Sequence, residues 1–179
     1  MNRYFRRQLT DYVEYHRDWW NGVMHVFGII SLFLAAVLPL STWPISVFGV
    51  PTTVAPLAAL PVLIYWLLLD ATLGVGILFA AVLLLSAAGI IVAHVSAAGM
   101  WSITVALVVV GITFQVVGHR VFERRQPSLL DNPTHLLLGP MFVMAKLFIA
   151  FGFKHDLAAI LTAPPKQTSG GPSAYPDKL

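Results

Sequence analysis

Long apolar runs alternate with short polar connections along most of the chain. A helix needs about 20 apolar residues to cross a bilayer, and four runs approach or reach that length, at about 25–40, within 44–69, at about 73–93 and at about 100–118. Ahead of the second span a loop is indicated by four prolines, Pro44, Pro51, Pro56 and Pro61. We expect the helix of this span to begin near Leu57. The pattern predicts an all-α fold, a polytopic membrane helical bundle with four transmembrane helices.

A fifth apolar segment, Leu136 to Phe153, carries Lys146 in its middle. A lysine at the bilayer centre costs several kcal/mol on insertion scales, and Gly139-Pro140 disturbs a regular helix start. We therefore expect a C-terminal re-entrant or interfacial helix, with a fifth span as the alternative. In this interpretation residues 1–162 form a single integral membrane domain. The tail at 163–179 is rich in Pro, Gly and Ser and is predicted to be disordered.

Composition and charge narrow the class of protein. Hydrophobic residues make up 58% of the chain and charged residues 11%, whereas about a quarter of an ordinary soluble domain is charged. A soluble enzyme and a disordered chain are therefore both excluded. The net charge of +3 fits membrane lipid better than nucleic acid, which we do not expect as a partner. With no cysteine, a metal has to bind through His, Asp, Glu or amide groups.

Basic residues set the expected orientation. Those that flank the first and fourth spans are Arg3, Arg6, Arg7, Arg17, Arg120, Arg124 and Arg125, while the connections at 41–56 and 94–100 contain none. By the positive-inside rule, the N-terminus and the residues near 120 face the cytoplasm, and Asp70 lies in a tight turn on that same side. We expect a multi-pass protein of the bacterial inner membrane, or of the endoplasmic reticulum in a eukaryote.

The topology places several histidines on this cytoplasmic face. His16 and His25 lie at the start of the first span, His119 at the end of the fourth, and His135 shortly after it. His94 is about 30 Å away at the opposite end of the third span and cannot join them. The candidate metal ligands are therefore His16, His25, His119 and His135. Neutral imidazoles with carboxylate and amide partners suit Fe(II), Zn(II) or Mn(II), and open positions on iron permit oxygen chemistry.

Local spacing identifies the partners of these histidines. Glu123 follows His119 by four residues and Asn21 precedes His25 by four, so each pair shares a helical face. His16 and His25 are nine apart and would lie on opposite sides of an unbroken helix. We therefore expect the chain to bend between them, at Asn21-Gly22. Either Arg120 or Arg124 is a candidate for neutralising a substrate carboxylate.

Two stretches, YHRDWWNGVMHVFGI and FQVVGHRVFERRQPSLLDNPTHLLLGPMFVMAKL, resemble the Mpo1-like family. The resemblance covers about residues 10 to 155 and implies an Fe(II)-dependent dioxygenase of fatty-acid α-oxidation, which uses O₂ to shorten a 2-hydroxy fatty acid by one carbon in long-chain-base degradation. It implies that His16, His25 and His119 are the essential histidines, with Asn21 and Glu123 as partners. Lys146 stands where the family pattern often has an acidic residue, so no carboxylate ligand is expected from the fifth segment.

A non-catalytic function is the alternative. The same histidines are compatible with a lipid-binding or structural membrane protein in which they complete interfacial hydrogen bonds, and Tyr15, Trp19 and Trp20 are typical of an aromatic belt. A two-iron desaturase or hydroxylase is disfavoured because its H-x-x-H-H boxes are missing. The oligomeric state is left open.

Overall fold

The computed structural model describes residues 2–124 and 134–162, and it is a helical bundle with one short hairpin. The helices are α1 (Arg3–Val13), α2 (Trp19–Leu40), α3 (Val54–Leu69), α4 (Ala71–His94), α5 (Ala97–Val117), α6 (His135–Ala150) and α7 (His155–Leu161). The end of α5 continues directly into a π-helical turn, Gly118–Glu123. Strands β1 (Pro44–Val47) and β2 (Val50–Thr53) join α2 to α3. The predicted disordered tail at 163–179 lies outside the described residues.

Three helices, namely α2, α4 and α5 with its π turn, are long and apolar enough to cross a membrane. The second predicted span is shorter, because α3 has 16 residues, and helix length alone therefore supports three of the four spans. In place of the expected loop, β1 and β2 form an antiparallel hairpin with Pro44 opposite Thr53. Its two-residue turn, Phe48-Gly49, has positive φ at both positions, the geometry that suits a tight hairpin.

The helix α1 packs on the bundle through an apolar stripe. Its buried side chains, Phe5, Leu9, Tyr12 and Val13, recur at helical spacing. The chain then leaves helical geometry before Asp18, whose side chain caps α2 by accepting from the amides of Trp20 and Asn21. The predicted bend at Asn21-Gly22 is therefore wrong, since both residues lie in the first turn of α2. The bend comes earlier and includes His16.

Both ends of α6 lie at the same end of the bundle. Before α6, the Thr134 hydroxyl donates to Gln8 of α1 at 3.2 Å. After it, the Lys154 ammonium pairs at 2.9 Å with Asp70, in the turn between α3 and α4. The amide of Asn2 donates to the carbonyl of Leu69, which brings the start of α1 to that same turn.

The helices α2 and α5 make the most extensive contact in the bundle, and glycines allow it. A Cβ on Gly28 would stand 3.2 Å from the Gly111 carbonyl oxygen, and a Cβ on Gly111 would stand 3.1 Å from that of Gly28. The two backbones thus touch directly, as small residues permit in membrane helices. This packing brings the start of α2 beside the end of α5.

We expect Lys154→Met to destabilise the fold by about 1–3 kcal/mol, because it leaves the buried Asp70 carboxylate without its cation. Burial raises the pKa of Asp70, but hydrogen bonds from Lys154 and from the Leu73 amide outweigh this effect and hold the pKa below its usual range. The stabilisation that the Asp70–Lys154 ion pair gives to the fold is therefore present at neutral pH. It is lost progressively as the pH falls below about 4 and Asp70 becomes protonated. Unfolding in detergent micelles at several pH values measures it.

The matched control is Arg17→Gln, which removes the more exposed ion pair with Glu14 and should change stability by less than about 1 kcal/mol. Equal effects of the two variants, or a Lys154→Met effect that does not decrease as the pH falls below about 4, would contradict this account.

Candidate metal centre

Three histidines from separate parts of the chain meet at one end of the bundle. His16 comes from the α1–α2 connection, His25 from the second turn of α2 and His119 from the π turn. One ring nitrogen from each lies within 4.8 Å of the others, and each residue is 2% exposed. The structure thus brings together the three histidines that the sequence analysis placed on one face.

Backbone carbonyls orient two of these rings. His16 Nδ1 lies 2.8 Å from the carbonyl oxygen of Tyr12, and His25 Nδ1 lies 3.0 Å from that of Asn21. A carbonyl only accepts, so in each neutral ring Nδ1 carries the proton and Nε2 carries a lone pair. Such carbonyl partners are typical of metal-binding histidines.

The two lone pairs face each other, with 3.1 Å between the Nε2 atoms of His16 and His25. Without a proton or a cation between them, two lone pairs at this distance repel. Two nitrogens bound to one ion at about 2.1 Å lie about 3.0–3.4 Å apart at octahedral or tetrahedral angles. The pair therefore fits a bound metal ion.

His119 completes the group from the other side of the site. Its ring centroid lies 4.8 Å from those of both His16 and His25. Its Nδ1 is buried and has no hydrogen-bond partner among the described residues, an arrangement that an ion or a water molecule would satisfy. The donor set is three imidazoles without a carboxylate, which suits Fe(II) or Zn(II).

Aromatic rings shield one side of the group. Tyr12 stacks on His16 with ring centroids 3.9 Å apart and planes inclined by 7°, and Phe142 of α6 lies 5.5 Å from the same ring. Burial lowers the pKa of His16 well below its ordinary value, and the nearby His25 adds to the effect. The His16 imidazole is therefore neutral at pH 7 and available as a ligand.

Glu123 connects the π turn to the start of α2. Its Oε1 accepts from the backbone amide of Asp18 at 2.8 Å and from Asn21 Nδ2 at 3.0 Å. Gly118 permits this contact, because an added Cβ would collide with Asn21 Oδ1. Glu123 is not a member of the three-histidine group, so it supports the backbone that carries two of the rings.

The other predicted site residues lie around this centre. His135 is buried at the start of α6, next to Tyr12 and Tyr15, with ring centroids 5.4 and 6.0 Å apart, and it is outside the three-histidine group. Arg120 follows His119 and is exposed. As expected from the topology, His94 lies at the far end of α4.

Three residues near the histidines were given no role there by the sequence analysis. They are Tyr12, Phe142 and Lys146. The spacing of Tyr12 and His16 gives no helical signal, because α1 ends at Val13 and His16 lies beyond it. The other two approach from α6, and nothing in the local sequence links them to the histidines.

Comparisons with known proteins agree with the resemblance. A family model described as 2-hydroxy-palmitic acid dioxygenase Mpo1-like matches residues 2–151. The 2-hydroxy-palmitic acid dioxygenase MPO1 of Saccharomyces cerevisiae is 32% identical over 159 residues, which cover 87% of this chain and 86% of the yeast protein. No solved structure matches the chain significantly.

We expect Tyr12→Leu to weaken metal binding about 10- to 100-fold, because His16 loses the ring that fixes its orientation. Tyr12→Phe keeps both the stacked ring and the backbone carbonyl and should bind metal as the unchanged chain does. Titration of the metal-free protein with Fe(II) or Co(II) measures the affinity. Equal affinities for the two variants would show that stacking does not hold His16.

Proposed function

The chain belongs to the Mpo1-like family, and we propose that it is an Fe(II)-dependent membrane dioxygenase that shortens 2-hydroxy fatty acids by one carbon. The observation that carries this proposal is the buried group of His16, His25 and His119. The relative's name supplies the reaction type and the substrate, 2-hydroxy-palmitic acid. The alternative, a non-catalytic lipid-binding protein, leaves the 3.1 Å approach of two imidazole nitrogens unexplained.

The proposed reaction balances with dioxygen as the only oxidant. A 2-hydroxy acid and O₂ give the acid one carbon shorter, carbon dioxide and water. The bond between C1 and C2 breaks, C2 is oxidised to the new carboxyl carbon, and O₂ is reduced. Fe(II), held by the three imidazoles, supplies the redox chemistry for O₂ and a Lewis acid for the substrate oxygens.

The protein's own residues prepare the site for this reaction. The carbonyls of Tyr12 and Asn21 keep the Nδ1 protons of two histidines in place, so that both Nε2 atoms stay unprotonated. The rings of Tyr12 and Phe142 exclude water from one side. Glu123 ties the segment that carries His119 to the segment that carries His25. Asn21 and Glu123 are thus positioning residues in this proposal.

An apolar cavity of about 250 Å³ offers a place for the acyl chain. It lies between α2, α3 and α4, and Pro140 of α6 lines it as well. Along α2 it extends from Ile29, about one turn beyond His25, to Leu40, which is about 16 Å at 1.5 Å per residue. A substrate held at the histidines would extend its hydrocarbon chain in this direction.

The membrane arrangement is part of the proposal. We place α2, α3, α4 and α5 across the bilayer, α6 at the cytoplasmic interface, and the metal centre on the cytoplasmic side, since Arg3, Arg6 and Arg7 precede the site. In a bacterium this membrane is the inner membrane. An amphiphilic acid partitions to the same depth, with its carboxylate at the interface and its chain in the hydrocarbon.

Purified protein loaded anaerobically with Fe(II) should hold close to one iron per chain. On addition of O₂ and 2-hydroxypalmitate it should release the acid one carbon shorter. His16→Ala, His25→Ala and His119→Ala should each lose both iron and product, because two imidazoles bind Fe(II) weakly. Metal analysis and mass spectrometry of the lipid products measure the two effects.

The control is His94→Ala, at the opposite end of α4, which should retain iron and activity. His135→Ala tests whether His135 is a fourth metal ligand, as predicted. Loss of iron in this variant would add His135 to the three ligands. If the wild-type protein takes up no iron in this experiment but still binds lipid, the result would instead support the non-catalytic alternative.

Ala81→Phe should shift the preferred substrate to shorter chains, because Ala81 lines the apolar cavity and a benzyl group fills part of it. We expect kcat/KM for 2-hydroxypalmitate to fall about 10-fold relative to that for 2-hydroxydecanoate. The control, Ala106→Phe, adds the same ring to an exposed position of α5. An unchanged chain-length preference in Ala81→Phe would place the acyl chain elsewhere.

A further inference from the structure

Lys146 is a half-buried cation at the edge of the metal centre. Its Nζ packs against the backbone of Gly22, where an added Cβ would stand 2.8 Å away, and lies 4.5 Å from the Phe142 ring centroid. Gly22 is one turn before His25 on α2, and Phe142 lies beside His16. The ammonium group therefore borders two of the three histidines.

This ammonium has no fixed partner among the residues that the structure describes, because neither a hydrogen bond nor an ion pair reaches it. Glu123 and Asp18 are the carboxylates whose charges act on it. Glu123 is already engaged through Oε1 with Asn21 and with the Asp18 amide. A half-buried charge without a partner is costly, and in a membrane protein such a charge points to a ligand.

Counted over residues 2–124 and 134–162, the charges around the site leave a place for one anion. Three neutral imidazoles add no charge, so a divalent ion brings two positive charges and Lys146 brings a third. The half-buried carboxylates of Asp18 and Glu123 bring two negative charges. A ligand with a single negative charge balances the remainder. Arg120 counts for less, because it is exposed and water screens its charge.

We propose that Lys146 binds the carboxylate of the substrate and selects 2-hydroxy acids over uncharged 2-hydroxy lipids. This inference rests on the proposed function, and it transfers to Lys146 the role that the sequence analysis gave to Arg120 or Arg124. The Phe142 ring supports the ammonium group by a cation–π contact. The three N–H donors remain available to a carboxylate placed between Lys146 and the histidines.

The test compares two ligands that differ in charge. The full chain, loaded with Fe(II) under anaerobic conditions in detergent micelles, is titrated with 2-hydroxypalmitate and with 1,2-hexadecanediol, which keeps both oxygens and the chain but has no carboxylate. We expect Lys146→Gln to weaken binding of the acid about 10- to 100-fold, the range for a hydrogen bond to a charged group. Binding of the diol and the iron content should stay unchanged.

Two further variants make the result specific. Lys146→Arg keeps the positive charge and should retain the preference for the acid. Arg6→Gln removes an exposed cation of α1 from the same end of the bundle and should change neither affinity. Since all variants are compared by the ratio of the two ligands, a general loss of folding or of metal does not imitate the expected result.

An equal loss of acid and diol binding in Lys146→Gln, or no loss of either, would overturn the role of Lys146. An acid-specific loss in Arg120→Gln with none in Lys146→Gln would return the carboxylate to Arg120. These results leave the proposed function standing, because the wild-type protein still binds iron and the acid. Wild-type protein that binds neither would reject both proposals.

Discussion

The direct backbone contact between α2 and α5 is the constraint on which the group of three histidines depends. Gly28 and Gly111 remove the side chains that would hold these helices apart, and Gly118 does the same directly before His119. In lipid, apolar helices gain little from burying more apolar surface, so close van der Waals packing drives their association. His25 and His119 meet because this packing brings the start of one helix to the end of the other.

The third histidine reaches the site by a different route. His16 lies outside any helix, and α1 holds it in place by packing its apolar stripe against α6 and α7. The Asp18 cap ends the connection, and Glu123 binds the Asp18 amide from the π turn. Each ring is therefore supported by backbone that is itself tied to a second element, which is how a metal site keeps its geometry before the ion binds.

The parts of the fold and site that could be predicted from sequence follow from short-range rules. Apolar run length indicated the long helices, and the basic residues placed His16, His25 and His119 at one end of the bundle. The hairpin at 44–53 was missed because its two prolines, Pro44 and Pro51, are equally typical of a loop. The bend was expected at Asn21-Gly22 on local propensity, but the Asp18 cap starts α2 earlier, and Gly22 is instead where Lys146 packs. The approach of α6 to the histidines depends on tertiary contacts that no local pattern encodes.

Glu123 lies outside the three-histidine group although it follows His119 by four residues. Both residues belong to the π turn, and the hydrogen bonds that Glu123 accepts, not its spacing from His119, fix the direction of its carboxylate. The carboxylate therefore points to the start of α2 and accepts from Asn21 and the Asp18 amide. Glu123 thus holds the start of α2 against the π turn, while its charge acts on His119 and Lys146 from outside the three-histidine group.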